Sequence, residues 1–300
     1  MGRTLAALMS VFAVATTASS TVEPAARIRT GEGPCGAASG FGSVWVAVYG
    51  AGQVVRIDPK RTRITKRIRV AKGACPITTG GGSVWVANDR SNLLYRIDPV
   101  HARVTRRIPV PDWPAHLAFA FGSLWVSGYE TGEVARIDPR AARVTRVYRT
   151  GGNPSGIAAA GDYLWLTFGR GTTIGRLDTV TGEVAQFPLG HVAPGFLESI
   201  GGALWTTTGD GYALRIDSAN GSVVASVPVR GTPAQPAAAP DGTIWVAEKE
   251  RDTITRIDPA TNAVVDVSPA GNGALAVAVA RGSMWVTSFA GSDVWRFRVK

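Results

Sequence analysis

Trp45, Trp85, Trp125, Trp165, Trp205, Trp245 and Trp285 follow one another at intervals of 40 residues. The same phrases surround them: Gly42-Ser43-Val44-Trp45-Val46, Gly82-Ser83-Val84-Trp85-Val86, Gly122-Ser123-Leu124-Trp125-Val126 and Gly282-Ser283-Met284-Trp285-Val286. About eleven residues after most of them comes Arg-Ile-Asp, at Arg56, Arg96, Arg136, Arg215 and Arg256, with Arg176-Leu177-Asp178 as a variant. A strict period of this length means one supersecondary unit copied along the chain, each copy burying its apolar face against its neighbours.

Within a repeat lie four short strand-like runs separated by turn residues. In the first they are 35–39, 43–48, 54–58 and 63–70. Asp58-Pro59 opens the last turn, because the Asp carboxylate accepts a backbone N–H two residues on and Pro fixes φ at the next position. Four antiparallel strands at this period form the blade of a β-propeller, so seven tryptophans predict seven blades in an all-β fold. The last repeat stops one strand short, while an orphan strand, 26–30, precedes the first. The N-terminal strand is therefore expected to complete the seventh blade as its outermost strand and remove the seam.

Composition narrows the compartment and the chemistry. At 45% hydrophobic and 18% charged residues the chain is globular, and no run of 18 apolar residues would span a membrane. Three His and two Cys leave little room for a zinc site of the usual spacing. Residues 1–20 read as an export signal, with Arg3 before an apolar stretch from Leu5 to Ala15 and small residues at the cleavage region. The expectation is a secreted, periplasmic or cell-envelope protein whose mature part, 21–300, is one monomeric propeller domain.

The phrases Gly82-Ser83-Val84-Trp85-Val86-Ala87-Asn88 and Arg56-Ile57-Asp58-Pro59 resemble those of the exported bacterial YVTN/YncE-like propellers. More distantly, they are similar to the streptogramin (virginiamycin B) lyase propellers. The second resemblance implies histidines opening innermost strands in late blades, a glutamate after a blade tryptophan and a magnesium ion. The matching late-blade positions here are Gln235 and Leu275, neither of which is a base. His116 opens an innermost strand in the third blade, and Glu248 stands three residues after Trp245.

Positions alike in all repeats serve the blade, so function is sought where repeats differ. Loops expected at the channel mouth carry Tyr49, Asp89, Arg90, Trp113, Tyr129, Glu130, Arg170, Asp210 and Glu248, a mixture of rings and both charges suited to a ligand. Glu198 replaces the small residue found at Ala38, Thr78, Ala118, Ala158, Ala238 and Ala278, which puts a carboxylate on an innermost strand. There it serves as a base, as a ligand for a divalent cation, or as a solvated structural acid. His116 and Glu198 are the candidates for catalysis.

Cys35 and Cys75 occupy one site in adjacent repeats, either bridged or as two separate thiols. Residues 1–150 hold 21 Lys and Arg against 9 Asp and Glu, whereas 151–300 hold 11 against 13. Much of the excess falls on expected outer strands, where it blocks edge pairing or docks an anionic cell-envelope polymer. No RNP, zinc-finger or helix-turn-helix pattern supports nucleic acid as partner. The sequence reads as a binding or interaction scaffold for a small molecule, glycopolymer or protein. The alternative is a lyase or lactonase, which would bring a divalent cation.

Overall fold

Val, Ile and Trp clustered between glycine and Asp-Pro turns have little choice but short strands. The computed structural model describes residues 21–299, and in them 28 strands, numbered β1 to β28 in chain order, and no helix. The expected export signal lies outside the described residues. The strands form seven four-stranded antiparallel sheets. In the first blade they are β2 (Pro34–Gly40), β3 (Ser43–Val48), β4 (Gln53–Asp58) and β5 (Arg63–Arg69). Innermost strands of neighbouring blades touch all round the ring, β2 meeting both β6 (Ala74–Gly80) and β26 (Ala274–Ala280).

The seven repeat tryptophans are all buried. Trp45 packs with Val84, Val86 and Ile97 of the next blade, so each ring fills the gap between two sheets. Its indole N–H needs a partner there, and Trp45 Nε1 donates to the Gly40 carbonyl at 3.0 Å, as Trp85 does to Gly80 at 3.0 Å. The Arg and Asp of the repeated triplet do not pair with one another but take separate partners. Asp58 Oδ1 accepts the N–H groups of Lys60 (2.8 Å) and Arg61 (3.1 Å). Arg56 instead donates to Ser43 Oγ (2.8 Å) and to the Pro99 carbonyl of the next blade (3.1 Å), lying over Trp45. The repeat thus carries its own inter-blade clasp.

Closure occurs as the sequence indicates. β1 (Pro24–Arg29) pairs with β28 (Asp293–Arg298), and the seventh sheet runs β1-β28-β27-β26, with β27 at Ser283–Ser288. The two chain ends therefore share one blade.

One expectation on register fails. Opposite Trp245 stands Ala237, not Ala238, whereas Ala38, Thr78, Ala118, Ala158, Glu198 and Ala278 face their tryptophans. The hairpin that carries Trp205 and Arg215 is one residue shorter than its counterparts, so Arg215 follows Trp205 by ten residues. The turn between β22 (Pro233–Ala238) and β23 (Ile244–Glu248) is longer, and it is pinned by Ala239 N–H to Thr243 O at 2.8 Å. The two changes cancel, and the 40-residue spacing of the tryptophans conceals them.

Candidate functional site

The loops leading into the innermost strands and those following each second strand meet on one face. Trp113, just before β10 (Pro114–Ala120), is 51% exposed and has φ of 51°, a backbone state that costs a bulky residue about 1–3 kcal/mol. Its N–H donates to Asn92 Oδ1 at 3.1 Å, and its carbonyl accepts the Tyr129 N–H at 3.0 Å. The indole is thereby presented to solvent 6.2 Å from the Tyr129 ring, the planes tilted by 48°. Arg170 from the next blade lies over Tyr129 at 5.1 Å and donates to Glu130 Oε1 at 2.9 Å. With Ser155 and Phe196 these side chains line a cleft of about 410 Å³. Four of the nine mouth residues expected from sequence meet here; Phe196 was missed, since its repeat position varies freely, holding Gly36, Pro76, His116, Gly156, Gln235 and Ala276 in the other blades.

Tyr49 and Arg90 meet in a second cleft, of about 410 Å³, with Glu32, Lys72 and Phe289. Arg90 Nε donates to the Tyr49 hydroxyl at 3.2 Å, and Tyr49 lies 6.1 Å from Phe289. Asp89 sits beneath, its Oδ1 buried with no hydrogen-bond partner among the described residues, and burial raises its carboxyl pKa. The mouth expected from sequence is thus two clefts rather than one.

Below them the axis is almost closed. A chamber of about 80 Å³ is lined by His116, Phe196, Gln235 and the two cysteines, room for two or three waters. His116 Nδ1 accepts the Ile157 N–H at 3.1 Å, and desolvation brings its pKa down to about 4. Gln235 Oε1 accepts the Val277 N–H at 3.2 Å. The register shift makes these equivalent positions: His116 precedes the residue opposite Val126, as Gln235 precedes the one opposite Val246. The counterpart of Gln235 is therefore His116 and not Leu275. Both side chains bridge adjacent innermost strands.

Glu198, on β18 (Leu197–Ile200), is half-buried between the fifth and sixth blades and accepts a hydrogen bond from Gln235 Nε2 at 2.8 Å. Desolvation raises its pKa to about 7, more than the Gln235 bond lowers it. His116 and Glu198 stand two blades apart.

Two other expectations change. Glu248 does not reach the mouth: it is 1% exposed at the end of β23, bonded by the hydroxyls of Thr253 (2.8 Å) and Thr255. Asp210 pairs with His191 Nδ1 at 2.9 Å, outside both clefts. No three His, Cys, Asp or Glu side chains among the described residues come close enough to hold one metal ion. Glu198, with an amide as its side-chain partner, does not fit a divalent cation.

Cys35 and Cys75 are joined by a disulfide, their Cα atoms 5.1 Å apart on the first two innermost strands. Gly36 beside it has no room for a side chain, since a Cβ would stand 2.0 Å from the Cys75 carbonyl oxygen. The bridge closes a 40-residue loop, for which chain entropy gives about 4 kcal/mol. Intact mass of native protein is expected to rise by two hydrogen atoms on reduction, and Cys35→Ala to lower unfolding free energy by up to about 4 kcal/mol. Two thiols that alkylate without reductant would disprove the bridge.

No known family model matches the chain. Nor does any curated protein sequence. Among solved structures, a streptogramin B lyase superposes with a TM-score of 0.81 at 19% identity, over 92% of this chain and 97% of that one. A catalytically inactive histidine-to-alanine variant of virginiamycin B lyase from Staphylococcus aureus, with quinupristin, gives 0.78 at 20% identity, over 92% and 99%. Hydrazine synthase from Kuenenia stuttgartiensis gives 0.77 at 16%, over 91% and 97%. Likeness to proteins this different in name is likeness of fold.

Proposed function

We propose that this chain is an exported binding propeller that captures a ring-bearing ligand, such as a saccharide or an aromatic cyclic peptide, in the cleft of Trp113, Tyr129, Glu130, Arg170 and Phe196. The observation that carries this reading is the exposed Trp113, held beside Tyr129 at a left-handed position that Gly33, Gly73 and Gly273 fill in other blades. Tilted rings give a ligand two apolar faces, and the Arg170–Glu130 pair offers donors and acceptors to its polar rim. A cleft of about 410 Å³ is of small-ligand size; the chamber of about 80 Å³ at His116 is not.

The lyase reading asks for a base beside a bound substrate. His116 has its Nδ1 lone pair committed to Ile157 and a pKa near 4, which makes it a poor base at neutral pH. Glu198 has a suitable pKa but lies two blades away from it. This favours binding over turnover.

Saturation-transfer measurements with quinupristin and with a set of oligosaccharides test the site. Ring protons of a bound ligand are expected to respond, and Trp113→Ala or Tyr129→Ala to weaken binding about 30-fold, as loss of an aromatic anchor does. Binding unchanged in both variants would move the site elsewhere. Quinupristin is expected to stay cyclic with and without magnesium; a linear product lost in Glu198→Gln would overturn the reading in favour of a lyase.

A further inference from the structure

The outer edges of the seven blades fall into two contiguous groups. On β1, β5, β9 (Arg103–Pro109) and β13 (Arg143–Arg149), the edges of blades seven, one, two and three, there are two, four, three and three Lys or Arg. Every one of them is exposed, and these strands hold no acid. On β17 (Val184–Pro188), β21 (Val223–Pro228) and β25 (Ala263–Pro269), the edges of blades four, five and six, there is none. Eleven of the twelve cations are arginines. Among the described residues none of the twelve forms an ion pair.

Guarding a sheet edge against pairing is the ordinary use of such residues. Here that explanation is insufficient, because three edges of the same ring do without them, even though β25 exposes Val264, Val265 and Val267. Some of the cations also brace the fold, Arg67 at the Thr30 carbonyl, Arg146 at the Thr179 and Val180 carbonyls of the next blade and Arg27 over Trp295, but among the described residues Arg29, Arg63, Lys66, Arg69, Arg103, Arg143 and Arg149 make no such contact. A field of unpaired arginines over four consecutive blades is a surface for a polyanion.

The shape of the wall selects among polyanions. It follows the convex outside of a ring, so a stiff duplex, with a persistence length of about 50 nm, or a flat membrane would touch it only along a tangent. The only aromatic residue on these strands, Tyr148, is 3% exposed, which leaves unpaired bases no platform. Guanidinium forks bind carboxylate, sulfate and phosphate oxygens in pairs. We infer that the rim of blades seven, one, two and three docks a flexible anionic glycopolymer that wraps along the arginine-bearing edges.

Heparin serves as the probe. The intact chain is expected to bind it at about 50 mM salt, with affinity falling steeply as salt rises. Arg63→Gln, Lys66→Gln and Arg69→Gln together on β5 are expected to weaken binding at least tenfold. The same charge removed from blades five and six, as Arg230→Gln, Lys249→Gln and Arg251→Gln, should leave it within twofold. Equal losses in the two triples would reduce the wall to diffuse net charge and overturn the proposal. So would absence of heparin binding, or tighter binding of duplex DNA or phosphatidylglycerol vesicles at matched salt. If the cations serve only as edge guards, the β5 triple will self-associate on size exclusion while keeping its heparin affinity.

Discussion

Deletion of residues 21–31 is expected to unfold the domain rather than trim it. β1 is the outermost strand of the seventh blade, and its register, Arg27 opposite Trp295 and Ile28 opposite Val294, places Ile28 in a core with Ala37, Val44 and Trp285. Arg27 lies 3.7 Å from the centre of the Trp295 ring, the Thr30 N–H donates to the Ser292 carbonyl at 3.1 Å, and the Val22 N–H reaches Ser268 Oγ of the sixth blade at 2.8 Å. Removing the strand strips β28 of a whole ladder and uncovers an apolar edge at the point where the ring is joined. The truncated chain should lose its cooperative urea transition and elute as an aggregate. Ile28→Ala, which leaves the ladder intact, should cost about 2–4 kcal/mol. A truncation with the midpoint of the full chain would rule out the closure.

Replacing the Glu198 carboxyl by an amide is expected to stabilise the protein at alkaline pH and to remove a pH dependence. The group's pKa rises from an ordinary 4.5 in the unfolded chain to about 7 in the fold. Below pH 4.5 both states hold the proton and Glu198 costs nothing. Between 4.5 and 7 the unfolded state releases its proton while the native state keeps it, so stability falls with rising pH; above 7 the loss is complete. The shift corresponds to at most about 3 kcal/mol, reduced by the water that reaches a half-buried side chain. In Glu198→Gln the new amide oxygen still accepts from Gln235 Nε2. Urea titrations at pH 5 and pH 8 should therefore converge relative to wild type, with a gain of about 1–3 kcal/mol at pH 8. An unchanged pH profile would place the carboxylate in ordinary solvent contact.

The candidate site was legible only in pieces. Tyr49, Arg90, Trp113, Tyr129, Glu130 and Arg170 stand out as rings and charges in expected mouth loops whose residues differ from blade to blade. Their division into two clefts was not legible, since each cleft combines loops of different blades and depends on which ring reaches which guanidinium. Glu248 was misplaced for a related reason. The sequence puts it near a loop, but the end of β23 turns its carboxylate into the blade toward Thr253 and Thr255.

Period and composition determined the architecture: the 40-residue spacing specified seven blades, and the missing fourth strand of the last repeat specified which strand closes the ring. Such features are local and repeated, so each copy confirms the others, and the hydrophobic pattern of one blade is only stable against the next. What the tertiary structure decided lies where copies depart from the pattern. A one-residue shortening before Arg215 and a one-residue lengthening before Trp245 cancel in the tryptophan spacing, and only hydrogen-bonded register reveals that Gln235 occupies the position of His116. The raised pKa of Glu198 likewise arises from packing between two blades. Desolvation depends on what surrounds a group in space, and residues of neighbouring blades stand some 40 positions apart in the chain.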